Sequence, residues 1–284
     1  MEVIREKAYI CPACEGTEKL SADPYNGYAM VQCHRCSLLH TLERDFPVAQ
    51  YDDVYASQSA YREMIEVARR TYAGELGYRN LWWFKRLALR RLEKNGKGRL
   101  LDVGCGPGTF VLVARQRGWQ VVGIEPTSEP AQLARTFGLE VFNGVVEDFA
   151  RQSTAKFNAI TSFEVIEHVI QPVAMLRAMG ELLEPGGQLL VSVPNLGDPY
   201  CIKQQIPSAV PPVHINFFNR RSLGAAMNAA GFEVLKFTTL PIPTSSVRNV
   251  HGRRGFMLRA PFLLAMRLFG RADGTSLIAL ARKR

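Results

Sequence analysis

The run Leu100-Leu101-Asp102-Val103-Gly104-Cys105-Gly106-Pro107-Gly108-Thr109 constrains the fold of this chain more than any other stretch. A short apolar run ends in an acid, and three glycines at alternate positions then lead into a helix-like segment. This reads as a buried parallel strand entering a tight turn, where the backbone must approach something that no side chain can obstruct. Further on, Val121-Val122-Gly123-Ile124-Glu125 reads as a second apolar strand ending in an acid. Open α/β sheets hold a nucleoside this way, with glycines under a polar linker and a carboxylate on the ribose hydroxyls.

The spacing separates two kinds of nucleoside site. Dinucleotide folds use GxGxxG, with a pyrophosphate at the helix N-terminus. Here the run is D-x-G-x-G-x-G, with Asp102 inside it and no Lys-Ser/Thr pair for a phosphate loop. A carboxylate beneath the ligand suits a cationic amino group and repels a phosphate. On these residues the chain resembles the class I S-adenosylmethionine (SAM)-dependent methyltransferases, and the ordered set of matches runs from Gly98 to Arg282. The resemblance implies an α/β fold, a Rossmann-like seven-stranded sheet with helices on both faces. It implies that Glu125 takes the two ribose hydroxyls of SAM. Asp102 and the backbone of Gly104, Gly106 and Gly108 would surround the methionyl end, with Cys105 as a small packing residue in the same turn. Many relatives carry an acid directly after the third strand's glycine to hold the adenine amine; this chain has Val145 after Gly144. The adenine contact is therefore expected from the Val146 backbone with Glu147 or Asp148, and Phe163 is expected to pack on the cofactor.

The run Phe163-Glu164-Val165-Ile166-Glu167-His168-Val169 resembles the small-molecule branch of the family, notably the O-methyltransferases of quinone biosynthesis. His168, with Glu167 just before it, lies beyond the fourth strand, at the carboxyl edge where open sheets place their sites. It is a candidate general base, and equally a structural histidine bridging loop backbones. His214, in Val213-His214-Ile215-Asn216-Phe217-Phe218, competes for the same role. No catalytic metal is required by these residues. Nucleic-acid amino-methylating enzymes carry N/D-P-P-Y/F where this chain has Phe163-Glu164-Val165-Ile166, and Cys201 lies too far along to serve as an RNA cytosine-5 nucleophile.

Ahead of this core stand Cys11-Pro12-Ala13-Cys14 and Cys33-His34-Arg35-Cys36. Each CxxC places two thiolates on one turn, and two such turns facing each other make a tetrahedral site that ordinarily closes around structural zinc. A redox pair is the alternative. Strands are expected at Ala8–Ile10, Met30–Gln32 and Leu38–Thr41, with His34 and His40 as surface histidines. The expected organisation is a zinc ribbon over residues 1–45, a linker and helical lid over 46–96, broken at Gly74 and Gly77, and the methyltransferase domain over 97–284. Tyr51, Tyr55 and Tyr61 are candidates to line the lid. The seventh strand is expected to insert antiparallel between the fifth and sixth, as in the resembled family.

Composition narrows the partners. The 284 residues are 47% apolar and 21% charged, which reads as globular, and no apolar run approaches the length of a membrane span. With no signal-peptide core at the N-terminus, the cytoplasm is the expected location. The formal charge of +9 permits nucleic acid as a partner without requiring it. The basic and apolar segment 253–269 reads three ways: a peripheral membrane surface, a homodimer or partner contact, or packing on the sheet. The expected activity is methyl transfer from SAM to a small-molecule acceptor, first of all a hydroxyl oxygen. The alternatives are a ribosomal or transfer RNA methyltransferase that uses the ribbon for RNA binding, and a non-catalytic scaffold.

Overall fold

The computed structural model describes residues 9–43, 59–195, 210–240 and 276–284. Tyr51, Tyr55, Cys201, the side chain of Tyr61 and the segment 253–269 lie outside the described residues.

Asn26 and Gly27 both adopt left-handed backbone, φ 51° and 81°. Two such residues make the hairpin turn whose twist matches that of the flanking strands. Strands β1 (Lys19–Tyr25) and β2 (Tyr28–Cys33) are the arms of this hairpin, and β3 (Leu39–Thr41) pairs antiparallel on the other side of β2. The strand expected at Ala8–Ile10 is replaced by β1. Tyr9 and Ile10 are not strand, because the chain there enters the first cysteine turn, closed by Cys11 N–H to Gly16 O and Glu15 N–H to Cys11 O, 2.9 Å each.

Helices α1 (Ser59–Tyr72) and α2 (Trp83–Leu92) follow, separated by Gly74 at φ 78° and a short 3₁₀ turn over Tyr78–Asn80. The core then alternates strand and helix: β4 (Arg99–Val103), α3 (Thr109–Gln116), β5 (Gln120–Glu125), α4 (Ser128–Thr136), β6 (Val141–Asn143), α5 (Val146–Gln152), β7 (Phe157–Phe163), α6 (Pro172–Leu182) and β8 (Leu183–Pro194). A two-residue strand β9 (Asn216–Phe217), helix α7 (Arg220–Ala229), β10 (Phe232–Leu240) and β11 (Ser276–Lys283) complete it. The seven-stranded sheet has the order β10-β11-β8-β7-β4-β5-β6. Its last strand, β11, is antiparallel to both β8 and β10, as the resemblance implied, while the pairs from β8 to β6 are parallel.

Strand β8 runs through the turn-forming residues Glu184-Pro185-Gly186-Gly187: Leu183 pairs with Phe157 and Gln188 with Ala159, so the turn is carried as an irregularity within the strand. A Cβ at Gly187 would lie 2.9 Å from Glu184 O, which is why the bulge needs glycine there.

The two-residue period of β4 divides the core between the sheet faces. Leu100 packs with Phe84, Ala88, Leu89 and Phe110 of the helices on one side. Leu101 and Val103 belong to the other side, with Ile160, Leu176, Met179, Leu223 and Phe218. Cys11, Ala13, Cys33, Cys36 and Leu38 join this second cluster, and β3 pairs with β9, so ribbon and core share both a sheet and a hydrophobic interior. No helix among the described residues is long and apolar enough to cross a membrane.

Because the interior is continuous, ribbon and core are expected to unfold together. Phe218, 1% exposed in the shared cluster, is the residue to truncate. Phe218→Ala should cost about 3–5 kcal/mol, seen in urea titration as one transition in which tryptophan fluorescence and exposure of the ribbon thiols shift together.

Candidate functional site

The turn after β4 takes its shape from its glycines. Gly104 and Gly108 hold φ at 75° and 79°, and a Cβ at Gly104 would lie 2.3 Å from Val165 Cγ2. Only glycine meets both demands. The turn is tied to the next strand: Gly104 and Cys105 N–H donate to Ile124 O at 2.8 and 3.0 Å, and Gly106 N–H donates to Glu125 Oε2 at 2.8 Å. The other Glu125 oxygen accepts from Thr127 N–H at 3.0 Å. Helix α1 lies over the turn, with the Tyr72 hydroxyl donating to Pro107 O, its ring stacked on Phe137 at 3.8 Å, and Met64 facing Gly106.

Asp102 is 1% exposed beneath this turn, and Thr161 Oγ1 donates to it at 2.7 Å. Burial pushes its carboxyl up to about 6, against the opposing effects of Lys85 and the Thr161 hydrogen bond. Val146 is buried at the start of α5. Of the two acids beside it, Asp148 pairs with Arg151, whereas burial raises the carboxyl of Glu147. Phe163 is buried, 5.0 Å from the Phe110 ring and 5.8 Å from Phe84, with Lys85 Nζ 5.1 Å from its centroid. Lys85 is a functional candidate that sequence reasoning passed over. A single lysine on an amphipathic helix has no signature until the helix is docked.

The next turn gathers a second set. Glu164 has φ 56°, accepts from Ser192 Oγ at 2.7 Å, and is pushed up to about 7 by burial. The 3₁₀ turn Ile166–His168 then presents Glu167 and His168. Glu167 is 1% exposed, and neither carboxylate oxygen has a hydrogen-bond partner. Burial raises this carboxyl well above its ordinary range, with Glu164 adding to the effect. His168 Nδ1 lies 2.6 Å from Val213 O, which places a proton on Nδ1, and its Nε2 is 3.9 Å from Glu167 Oε1. The His214 ring meets His168 edge-on at 4.5 Å. Burial lowers His168 to about 4 and His214 well below its usual value. One ligand atom from each of Glu167, His168 and His214 falls within 4.8 Å of the others, a donor set able to hold a cation. The two histidines expected as rivals for the base role are neighbours in the fold, and Glu167, which precedes His168 at the same edge, completes the cluster.

The four ribbon cysteines also converge. Cys11 and Cys36 sulfurs are 3.6 Å apart, Cys14 and Cys33 3.5 Å, and all four Sγ atoms lie within 4.8 Å of one another. A tetrahedron with bonds of ~2.3 Å has edges of ~3.8 Å, so the cluster fits a chelated metal. His34 is exposed and pairs with Glu18, as expected of a surface histidine. His40 is not on the surface. It is 2% exposed, stacked on Tyr9 and hydrogen-bonded to it at 3.1 Å, because Tyr9, itself beside Cys11 and Cys33, covers its ring.

The sheet order, the glycine turn after β4 and the acid closing β5 define a class I SAM-dependent methyltransferase domain. The family model described as a methyltransferase domain matches residues 72–236, more than half of the chain, and the chain belongs to that family. Among characterised relatives, it is 41% identical over 111 residues to the ubiquinone biosynthesis O-methyltransferase of Xanthomonas oryzae pv. oryzae strain PXO99A, covering 37% of this chain and 46% of that protein. The Xanthomonas campestris pv. campestris strain B100 counterpart is 40% identical over 103 residues, 34% of this chain and 43% of that protein. The matched region spans less than half the length of these relatives. Among solved structures, a SAM-dependent methyltransferase from Archaeoglobus fulgidus has TM-score 0.52 at 15% identity, over 70% of this chain and 94% of that one. One from Mesorhizobium loti has TM-score 0.50 at 18% identity, over 70% and 97%. These two similarities are of fold.

The close approach at Gly104 makes a direct test. Gly104→Ala is expected to cost roughly 1–3 kcal/mol through backbone strain alone, with the contact to Val165 added. Thermal unfolding should show the loss, and Val165→Ala in the same chain should recover only the contact.

Proposed function

We propose that this protein transfers the methyl group of SAM to a hydroxyl oxygen of a small-molecule acceptor held beside the Glu167–His168–His214 cluster. The carrying observation is that Val165 packs on Gly104, which puts the turn bearing Glu167 and His168 against the glycine turn. The O-methyltransferase relatives support the same acceptor class.

SAM supplies an electrophilic methyl on a cationic sulfonium. The chain's own groups suit the remaining tasks. Asp102 and Lys85, close enough to interact, are assigned to the charged amino acid end of the cofactor, opposite charges for its ammonium and carboxylate. Glu125 carries two carboxylate oxygens for the two ribose hydroxyls. The Val146 backbone and Glu147 are assigned to the adenine, and Phe163 with Phe110 forms the apolar wall behind Asp102. Transfer then needs the acceptor oxygen in line with the methyl–sulfur bond: the C–O bond forms as the C–S bond breaks, S-adenosylhomocysteine leaves with the bond's electron pair, and the hydroxyl proton passes to water.

Buried imidazoles with lowered pKa are weak bases near neutral pH. They are good neutral ligands, and an unpartnered buried carboxylate beside them calls for a cation. We therefore assign Glu167, His168 and His214 to hold a divalent cation at the acceptor oxygen, where its Lewis acidity would lower the hydroxyl's pKa. The cysteine cage is assigned to structural zinc. The integration of the ribbon into the core supports a structural role for it over an RNA-binding one.

Two experiments test this reading. Glu125→Ala and Asp102→Asn should each weaken S-adenosylhomocysteine binding about 10–150-fold in calorimetry, the worth of a charged hydrogen bond. Because burial raises Asp102 to about 6, wild-type affinity should fall as pH drops through 6 and Asp102 takes up its proton, and Asp102→Asn should flatten that profile. Unchanged affinity in both variants would remove the cofactor from this cleft. For the chemistry, Glu167→Gln should lower kcat toward a catechol probe at least about 10–100-fold while S-adenosylhomocysteine binding persists, and manganese should bind the wild type at one site beyond the cysteine cage. Full activity of Glu167→Gln would overturn the acceptor-site assignment.

A further inference from the structure

We propose that Asn216 is a positioning residue for the acceptor site, and that the cysteine ribbon acts on catalysis by holding it. The inference rests on the reading of Glu167 and His168 as acceptor-site residues and names what fixes them there.

The turn Ile166–Val169 carries both groups, and its backbone is gripped from one short segment. Asn216 is 1% exposed, and its Nδ2 donates to Val169 O at 2.7 Å and to Ile166 O at 3.3 Å, one carbonyl on each side of the Glu167–His168 pair. The preceding residue closes the middle: Ile215 N–H donates to Glu167 O at 3.0 Å. Val213 O meets His168 Nδ1, so the same segment also selects the tautomer that turns Nε2 toward Glu167. His214 rides between these contacts. A side-chain amide suits this task because its two N–H donors can serve two carbonyls at once.

Asn216 is held in turn by the ribbon. Its backbone lies opposite His40 in the β3–β9 pair, and Thr41 N–H donates to Ile215 O at 3.0 Å. Three contacts fasten the flanks to the ribbon, one at the hairpin tip and two at the second cysteine turn. Asn26 Nδ2, at the tip of the hairpin, donates to Pro211 O at 2.6 Å. Asn219 Nδ2 donates to Ser37 O, the residue after Cys36, at 3.1 Å, and Arg221 reaches Arg35 O inside the second CxxC. The outer sheet is only four strands, with β9 its last, and too small to stand without the cage. Loss of the ribbon metal should therefore free the 210–218 segment first, with the cofactor cleft on β4 and β5 still formed.

The test is hydrogen exchange on the full metal-loaded chain, with S-adenosylhomocysteine affinity measured alongside. In Asn216→Ser, the amides of Ile215, His168 and Val169 should exchange at least about 10-fold faster, as expected for local opening of a hydrogen-bonded unit. S-adenosylhomocysteine affinity should stay within about 3-fold, and kcat with a catechol probe should fall while KM moves little. Release of the ribbon metal by a thiol-directed mercurial, which spares a cation held by Glu167, His168 and His214, should reproduce the exchange pattern, and a thiol reductant with added zinc should reverse it. If Asn216→Ser does not fold, Asn26→Gly carries the test: it keeps the turn, removes the Pro211 contact, and should speed exchange over 210–215. Unchanged exchange at these amides would overturn the proposal. So would acceleration spread equally over β4 and β5, or a parallel loss of S-adenosylhomocysteine binding. Absence of methyl transfer in the wild type would sink the proposed reaction and leave the exchange result to decide the positioning role by itself.

Discussion

Gly104 holds a left-handed turn with no Cβ, and the Val165 side chain fills the space a Cβ would need. Two loops that follow different strands are thereby packed against each other at the carboxyl edge of the sheet. The first is tied by Glu125 to the end of β5, and the second carries Glu167 and His168. A side chain at Gly104 would separate them. The cleft for a nucleoside and the polar cluster proposed for the acceptor are thus one packing unit, and amide hydrogen bonds to Ile124 O and Glu125 fix the glycine turn.

How much of this was legible in the sequence follows from the range of the forces involved. Strands β4, β5 and β7 were legible because each is a near-continuous apolar run, buried on both faces and closed by polar or glycine residues. The antiparallel placement of β11 came from resemblance to a family, since no local feature of Ser276–Lys283 dictates its neighbours. The hairpin β1–β2 was written in Asn26-Gly27, yet the strand was sought at Ala8–Ile10, where the pull of the CxxC turn on the backbone outweighs strand propensity. His40 misled for a similar reason. Its burial depends on Tyr9 stacking across 31 positions of sequence, which composition cannot report.

At the site, the residue types were legible and their relationships were not. His168 and His214 each carried a local signal, but their edge-on contact depends on a segment reaching back across the molecule to pair with β3. Glu167 was legible only by its place beside His168 at the carboxyl edge; that both its oxygens are buried without a donor is a product of tertiary packing. Lys85 and Asn216 carry no pattern of their own. Their meaning comes from the rings and carbonyls that tertiary packing puts around them.

The carboxyl edge concentrates acids that folding alone would avoid. Asp102 and Glu167 are each 1% exposed and Glu125 is 8% exposed, with Glu164 close by. For Asp102 the sign is clear: burial raises its pKa to about 6, above the ordinary carboxylate range, so its folded form holds a proton that the unfolded chain has already released. The contribution is neutral at low pH, and it turns against the fold as pH rises from the unfolded carboxylate pKa toward 6. Above that, the ionised carboxylate sits in a site that disfavours its charge, and Lys85 offsets only part of the cost. A ligand that brings positive charge to this edge removes the penalty, so part of its binding free energy comes from relieving a cost already present in the empty fold. The same logic extends to Glu167, whose carboxylate has lost water and gained no donor. A protein selected for stability alone would place an apolar side chain at both positions. Retaining acids at both positions ties the stability of this edge to the charge of what it binds, and this argues that the edge is built for cationic ligands.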